Sequence, residues 1–232
     1  MFADMMRISR SIFPLLAILT LWYCNEPATV QQPLIFGDLY MRFLQETGQI
    51  KAEASFFEGD SLSSAQPKEL TGGVSFLGSG MESRRIGDRL LRYQYIGNGQ
   101  FPEKPVFVVR GEADGEYRFE TNMVPVDSFS ADTTLSKSAP YRIRLNGMPL
   151  QAEESLVLLF SDGAGKAWPV TLLGPLDGPD IVLTPEQLAP LAVGRGQLYL
   201  VKKQRKEIEE GLYSVLLVVE YYTKSQDLVI VD

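Results

Sequence analysis

Residues 38–56 read DLYMRFLQETGQIKAEASF. Leu39, Met41 and Phe43 are apolar at alternate positions, and after Glu46-Thr47-Gly48 the same period returns in Ile50, Ala52, Ala54 and Phe56, with Gln49, Lys51, Glu53 and Ser55 between them. Successive side chains of a strand point to opposite faces, so this pattern predicts a β-hairpin with one dry face and one wet face. Further strands follow at short intervals: 73–77, 90–96, 106–109, 117–121 and 124–128. Gly97-Asn98-Gly99 and Ala113-Asp114-Gly115 are turn signals between them, the latter closing a second hairpin.

A Ser/Thr-rich patch, Ser128 to Ser138, reads as the boundary with a second half of the same style. There Tyr141 to Leu145 alternates strictly, Ser155 to Phe160 is a continuous apolar run, and Asp162-Gly163-Ala164-Gly165 turns into Trp168 to Leu172. Stretches 181–183, 197–202, 212–222 and 228–231 complete the set. One helical signal stands among them: Thr184 as N-cap, Pro185 at the first helical position and Gln187 three residues after the cap, with Leu188 and Leu191 on one face and Gly194 beyond. Short strands at this spacing predict an all-β fold of two consecutive antiparallel β-sandwich domains, residues 37–128 and 129–232, with one short helix in the second.

Composition removes several kinds of chemistry. The chain has 232 residues, 45% of them hydrophobic, with no histidine and one cysteine. Catalytic triads and dyads built on imidazole, His-ligated metals, Cys-cluster metals and intrachain disulfides are therefore closed to it. The net charge of −7 disfavours a nucleic-acid partner, because an acidic surface repels phosphate at long range.

Arg7 and Arg10 precede an uncharged apolar run, Ile12 to Tyr23, and Cys24 follows directly. A basic segment before an apolar run too short to span a bilayer is the secretory pattern, so residues 1–23 read as a signal peptide. Leu21-Trp22-Tyr23-Cys24 resembles the lipobox of bacterial lipoproteins, in which the cysteine is lipidated and becomes the new N-terminus; Leu21 fits its −3 position, Tyr23 stands where that family carries a small residue, and the alternatives are an apolar signal sequence in which Cys24 is incidental or an uncleaved N-terminal anchor. The Pro- and Gln-containing residues 24–36 then read as a tether between lipid and folded body.

Together these features resemble bacterial surface lipoproteins with tandem immunoglobulin-like or fibronectin type III-like domains. There is no Cys…Trp…Cys signature, and Leu198-Tyr199-Leu200 is the nearest approach to a tyrosine corner. The resemblance implies a cell-envelope location, a membrane partner through the anchor, and a protein or glycan partner not specified by any motif.

Without histidine, a hydrolase would need paired carboxylates. Glu53 with Glu58, Asp114 with Glu116, and Glu153 with Glu154 are available pairs, and each reads as surface or turn chemistry. Asp162, Asp177 and Asp180 belong to turns and match no calcium loop. The charged run Lys202 to Gly211 reads as a solvated connection between strands, with Lys202, Lys203, Arg205 and Lys206 as a candidate partner-docking loop. Among the aromatics, Phe56, Phe57, Tyr93, Tyr95, Trp168, Tyr221 and Tyr222 are divided by alternation between core and surface. The expectation is a non-catalytic binding or assembly protein with lipidation at Cys24 and no cofactor. The alternatives are a carboxylate-dependent glycan hydrolase and a structural subunit of an envelope complex.

Overall fold

The computed structural model describes residues 33–87, 90–111, 115–147 and 149–232. The residues read as a signal peptide, Cys24 and most of those read as a tether lie outside the described residues, as do Ala113 and Asp114 of the second turn signal. Residues 33–232 form one compact unit.

The opening hairpin is present as β1 (Leu34–Leu44) and β2 (Gln49–Gly59), paired antiparallel with Leu44 opposite Gln49. Leu39, Met41 and Phe43 of β1 and Ile50, Ala52, Ala54 and Phe56 of β2 are all buried, as their alternation requires. β1 starts at Leu34, inside the stretch read as tether.

The chain then makes β3 (Gln66–Pro67), β4 (Val74–Phe76), β5 (Ser79–Gly80), β6 (Glu82–Ile86), β7 (Leu90–Asn98), β8 (Val106–Arg110) and β9 (Glu116–Glu120). β7 lies beside β2, whereas β5, β4, β8 and β9 form a separate sheet in that order. In that sheet Phe76, Phe107 and Phe119 stand at opposed register positions and are fully buried. Residues 124–128, expected as a strand, are irregular up to β10 (Ser128–Ala131). The Ser/Thr patch supplies β10 and β11 (Thr134–Ser136), because Phe129, Ala131 and Leu135 reach the second core.

β12 (Tyr141–Asn146), β13 (Glu154–Ser161), β14 (Ala167–Leu173) and β15 (Asp180–Leu183) follow, then α1 (Pro185–Leu188). The helix begins where its cap residues place it, with the Thr184 amide donating to the Gln187 side-chain oxygen at 2.9 Å. It lasts one turn, and Leu188 and Leu191 are both buried. β10, β12 and β15 make a three-stranded sheet over the second core.

The last three strands bind the molecule together. β16 (Gly194–Glu210) runs for 17 residues, and β17 (Tyr213–Tyr222) and β18 (Gln226–Val231) return along one edge of it, interrupted only at residues 223–225. β13 occupies part of its other edge. β1 lies beside β17 in parallel, Leu39 opposite Leu217 and Phe43 opposite Tyr221, and β11 lies parallel to β18. The expectation of purely antiparallel pairing is corrected at these two places. A parallel neighbour needs a long crossover, and here nearly the whole chain is that crossover. The result is an 11-stranded sheet running under both cores, with the smaller sheets packed over its inner face.

The first core takes residues between Leu39 and Met123 and, from the far end of the chain, Tyr213 to Tyr221. The second takes Val126 to Leu200 with Leu228 and Ile230. A chain division near residue 128 thus separates the cores early in the sequence, while β17, read with the second half, packs in the first.

Candidate functional site

The wet face of the shared sheet collects the side chains that alternation turns away from the cores. From β1 come Tyr40 and Arg42, from β2 Lys51 and Glu53, from β7 Arg92, from β17 Glu220 and Tyr222, and from β16 Lys203 and Arg205. Two carboxylates act as hubs. Glu53 is 2.9 Å from Lys51 and 3.2 Å from Arg92. Glu220 accepts hydrogen bonds from the Tyr40 hydroxyl at 2.7 Å and the Tyr222 hydroxyl at 3.0 Å, and its other oxygen lies 3.2 Å from Lys203 Nζ. Burial, and then the Glu220 carboxylate, push the Tyr222 hydroxyl up to about 12; burial and the bond to Glu220 raise Tyr40 as well. Both phenols stay protonated at neutral pH and hold Glu220 as its donors. Arg42 Nε is buried beside them without a hydrogen-bond partner.

The charged run 202–210 is corrected from loop to strand, since all of it lies within β16. Lys202 is unavailable to any partner: it is 1% exposed, turned inward, and its Nζ lies 2.8 Å from Glu154 Oε2. Glu154 also accepts the Gln151 amide at 2.8 Å. Lys203 pairs with Glu220, Arg205 with Glu207 at 3.2 Å, and Lys206 reaches the Glu120 carbonyl. Lys203 and Arg205 line an open groove of about 580 Å³ together with Glu153, Ser155, Leu173 and Glu207.

A second depression, about 420 Å³, opens where the β1–β2 turn meets the break between β17 and β18. Its walls include Tyr199, Tyr222, Gln197, Glu46, Thr47 and Ser225. The Tyr199 and Tyr222 rings are 6.2 Å apart between centroids and inclined by 30°. Tyr199 does not make a tyrosine corner; a bond of that kind is made by Tyr141, whose hydroxyl donates to the Asp132 carbonyl at 2.6 Å. The cleft exists because β17 stops pairing at Tyr222. Thr223 bridges the gap, its amide donating to the Leu200 carbonyl and its hydroxyl accepting the Leu200 amide, both at 2.9 Å. Gln45 ties the opposite rim, donating to the Asp127 carbonyl at 3.1 Å and accepting the Lys224 amide at 3.0 Å.

The paired carboxylates of the sequence are engaged separately. Glu58 pairs with Lys68 at 3.1 Å, Glu116 with Arg110 at 3.8 Å, and Glu154 with Lys202. Asp162 accepts the amides of Ala164, Lys166 and Ala192, and these bonds, the Lys166 amide foremost, hold its carboxyl below the usual range. Asp180 lies 3.4 Å from Arg144. Among the described residues, no group of three or more acidic or thiol side chains is placed to hold a metal. Phe56, Tyr93 and Tyr221 are core; Tyr95 and Trp168 pack at its margin. Tyr40 and Glu220 were missed from sequence, and Tyr199 was read only as the nearest approach to a tyrosine corner. Alternation puts them on a wet face, yet only the parallel pairing of β1 with β17 brings Tyr40 to Glu220.

No protein-family model matches the chain, and no curated protein matches it. Sixteen chains of solved structures do. One of them, titled "Crystal structure of tetra-tandem repeat in extending region of large adhesion protein", is 9% identical with a TM-score of 0.22, over 83% of this chain and 49% of that one. The chain spans about half the length of that structure, and the similarity is too low to bring anything beyond itself.

Proposed function

We propose that this protein is an exported lipoprotein of the bacterial envelope, anchored through Cys24, with a non-catalytic role in binding or assembly. The observation that carries the reading is the place of the only thiol. Cys24 directly follows the apolar run, and β1 begins ten residues later at Leu34. An extended link of that length reaches at most about 35 Å, which would hold the folded body close to the membrane surface. Within this proposal the two cores are immunoglobulin-like sandwiches in tandem, sharing β16 rather than joined by a flexible linker. A rigid sheet carrying fixed charges and aromatic side chains on its open face suits recognition. The pairing of Glu53, Glu58 and Glu154 with cations gives a glycosidase mechanism no pair of facing carboxylates among them.

Metabolic labelling with a palmitate analogue, combined with membrane fractionation, tests the anchor. The native chain is expected to take up label and sediment with membranes, and Cys24→Ala to lose both. Undiminished labelling of the variant sinks the proposal.

A further inference from the structure

We infer that the cleft between the β1–β2 turn and the β17–β18 break binds a short saccharide. This gives the proposed binding role a ligand class and rests on that role. The cleft volume of about 420 Å³ lies within the range of small-molecule sites. Its chemistry narrows the ligand. Tyr199 and Tyr222 supply two aromatic rings at 6.2 Å, Leu44 adds to this largely apolar lining, and Glu46, Thr47, Gln197 and Ser225 place carboxylate, hydroxyl and amide groups around it. Neither Lys nor Arg lines it and Glu46 does, so its walls do not favour a phosphate or sulfate group.

A sugar ring answers both features: its C–H faces lie against aromatic rings, and its hydroxyls, each donor and acceptor, meet amides and carboxylates. The groups needed are uncommitted. Among the described residues, the Tyr199 hydroxyl, the Glu46 carboxylate and the Ser225 hydroxyl have no hydrogen-bond partner, and Gln197 engages only its nitrogen, donated to Asp227 at 2.9 Å. The walls are held in place beforehand, by the Thr223 bonds to Leu200 on one side and by Gln45 on the other. Pre-ordered walls lower the cost of binding.

The test is calorimetric titration of the purified full chain, in a detergent without a sugar headgroup, with maltotriose, cellotriose and triacetylchitotriose at millimolar concentration. At least one is expected to bind, Tyr199→Ala to weaken it by about tenfold or more, and Tyr199→Phe, which keeps the ring and loses the hydroxyl, to weaken it less than Tyr199→Ala does. Gln197→Leu, which leaves the aromatic pair intact, is expected to weaken the same ligand, and Trp168→Ala to leave it unchanged. Failure of all three trisaccharides to bind, or binding unaffected by both Tyr199→Ala and Gln197→Leu, overturns the inference. Crosslinking in intact cells separates the two readings. A stoichiometric partner captured by a protein that binds no trisaccharide removes the saccharide and leaves the binding role; no partner and no saccharide removes both.

Discussion

The two cores are built from different materials. The first is aromatic, with Phe43, Phe56, Phe76, Phe107, Phe119, Tyr93, Tyr213 and Tyr221 buried together, and ring pairs such as Phe43–Tyr221 at 5.3 Å and Phe76–Phe107 at 4.8 Å. The second is aliphatic, dominated by leucines from Leu135 to Leu228, with Phe160 and Tyr141 as its buried aromatics. They also differ in how they close. The first needs strands from both ends of the chain, whereas the second draws mostly on a continuous stretch from Val126 to Leu200. Between them the inner face of β16 turns polar: Leu198 and Leu200 enter the second core, Lys202 meets Glu154, Gln204 accepts the Thr121 hydroxyl at 2.6 Å, and Ile208 packs on the first. Apolar faces alone would tolerate a slipped strand, since sliding by two residues keeps them inward. A buried ion pair at the junction does not, because the slip would strand a charge.

The largest effects should come from breaking either core. Phe56→Ala is expected to cost about 3–5 kcal/mol and Leu158→Ala about 2–5 kcal/mol, by lost burial and cavity formation. Because β16 and its returning strands cross both, urea unfolding followed by fluorescence and circular dichroism is expected to show one transition that moves in either variant. Two separable transitions, each moved by only one substitution, would show that the cores stand independently.

Next is the junction. Lys202→Met leaves Glu154 buried and unpaired and is expected to cost about 3–5 kcal/mol, while adding Glu154→Leu should recover most of it. A double variant no better than the single one would mean that Glu154 finds another partner. Smaller is the hairpin that returns β17 along β16. Gly211 has φ +61°, and a Cβ there would meet the Tyr117 ring at 3.1 Å, so Gly211→Ala should cost about 1–2 kcal/mol in the same urea experiment.

The smallest effect belongs to Asp162 in the turn below the second core. Its carboxyl is held below its ordinary value when folded, so it stabilises the fold above the unfolded value of about 3.9 and loses that contribution as pH falls through the folded one. Asp162→Asn is expected to melt slightly below the native chain at neutral pH, with the gap closing below about pH 4. A gap that is constant with pH would show that the charge is not what matters.

Much of the strand content could be read directly. The alternation of residues 38–56 and 141–145, the Thr184 cap and the turn at Asp162 each depend on neighbours in sequence, and each appears where expected. β6 escaped because Glu82 to Ile86 is exposed throughout and carries no period. The charged part of β16 escaped because its second half lacks an apolar alternation, and it is a strand on account of its pairing with β17. Of the site, Tyr222 was named among the aromatics divided between core and surface and Tyr199 only as the nearest approach to a tyrosine corner, while the hub at Glu220 was not visible.

By itself, then, the amino-acid order determined which residues alternate, where the hairpin and the helical turn begin, and that these residues supply no imidazole and no intrachain disulfide. These follow from local backbone preference and composition. Tertiary structure alone decided that β1 lies parallel to β17, that Lys202 is buried rather than offered to a partner, and that a break in one strand opens a cleft beside two tyrosines. Those outcomes depend on contacts between residues as much as 180 positions apart, such as Tyr40 with Glu220. No local pattern encodes them, because strand neighbours are chosen by the burial of whole faces.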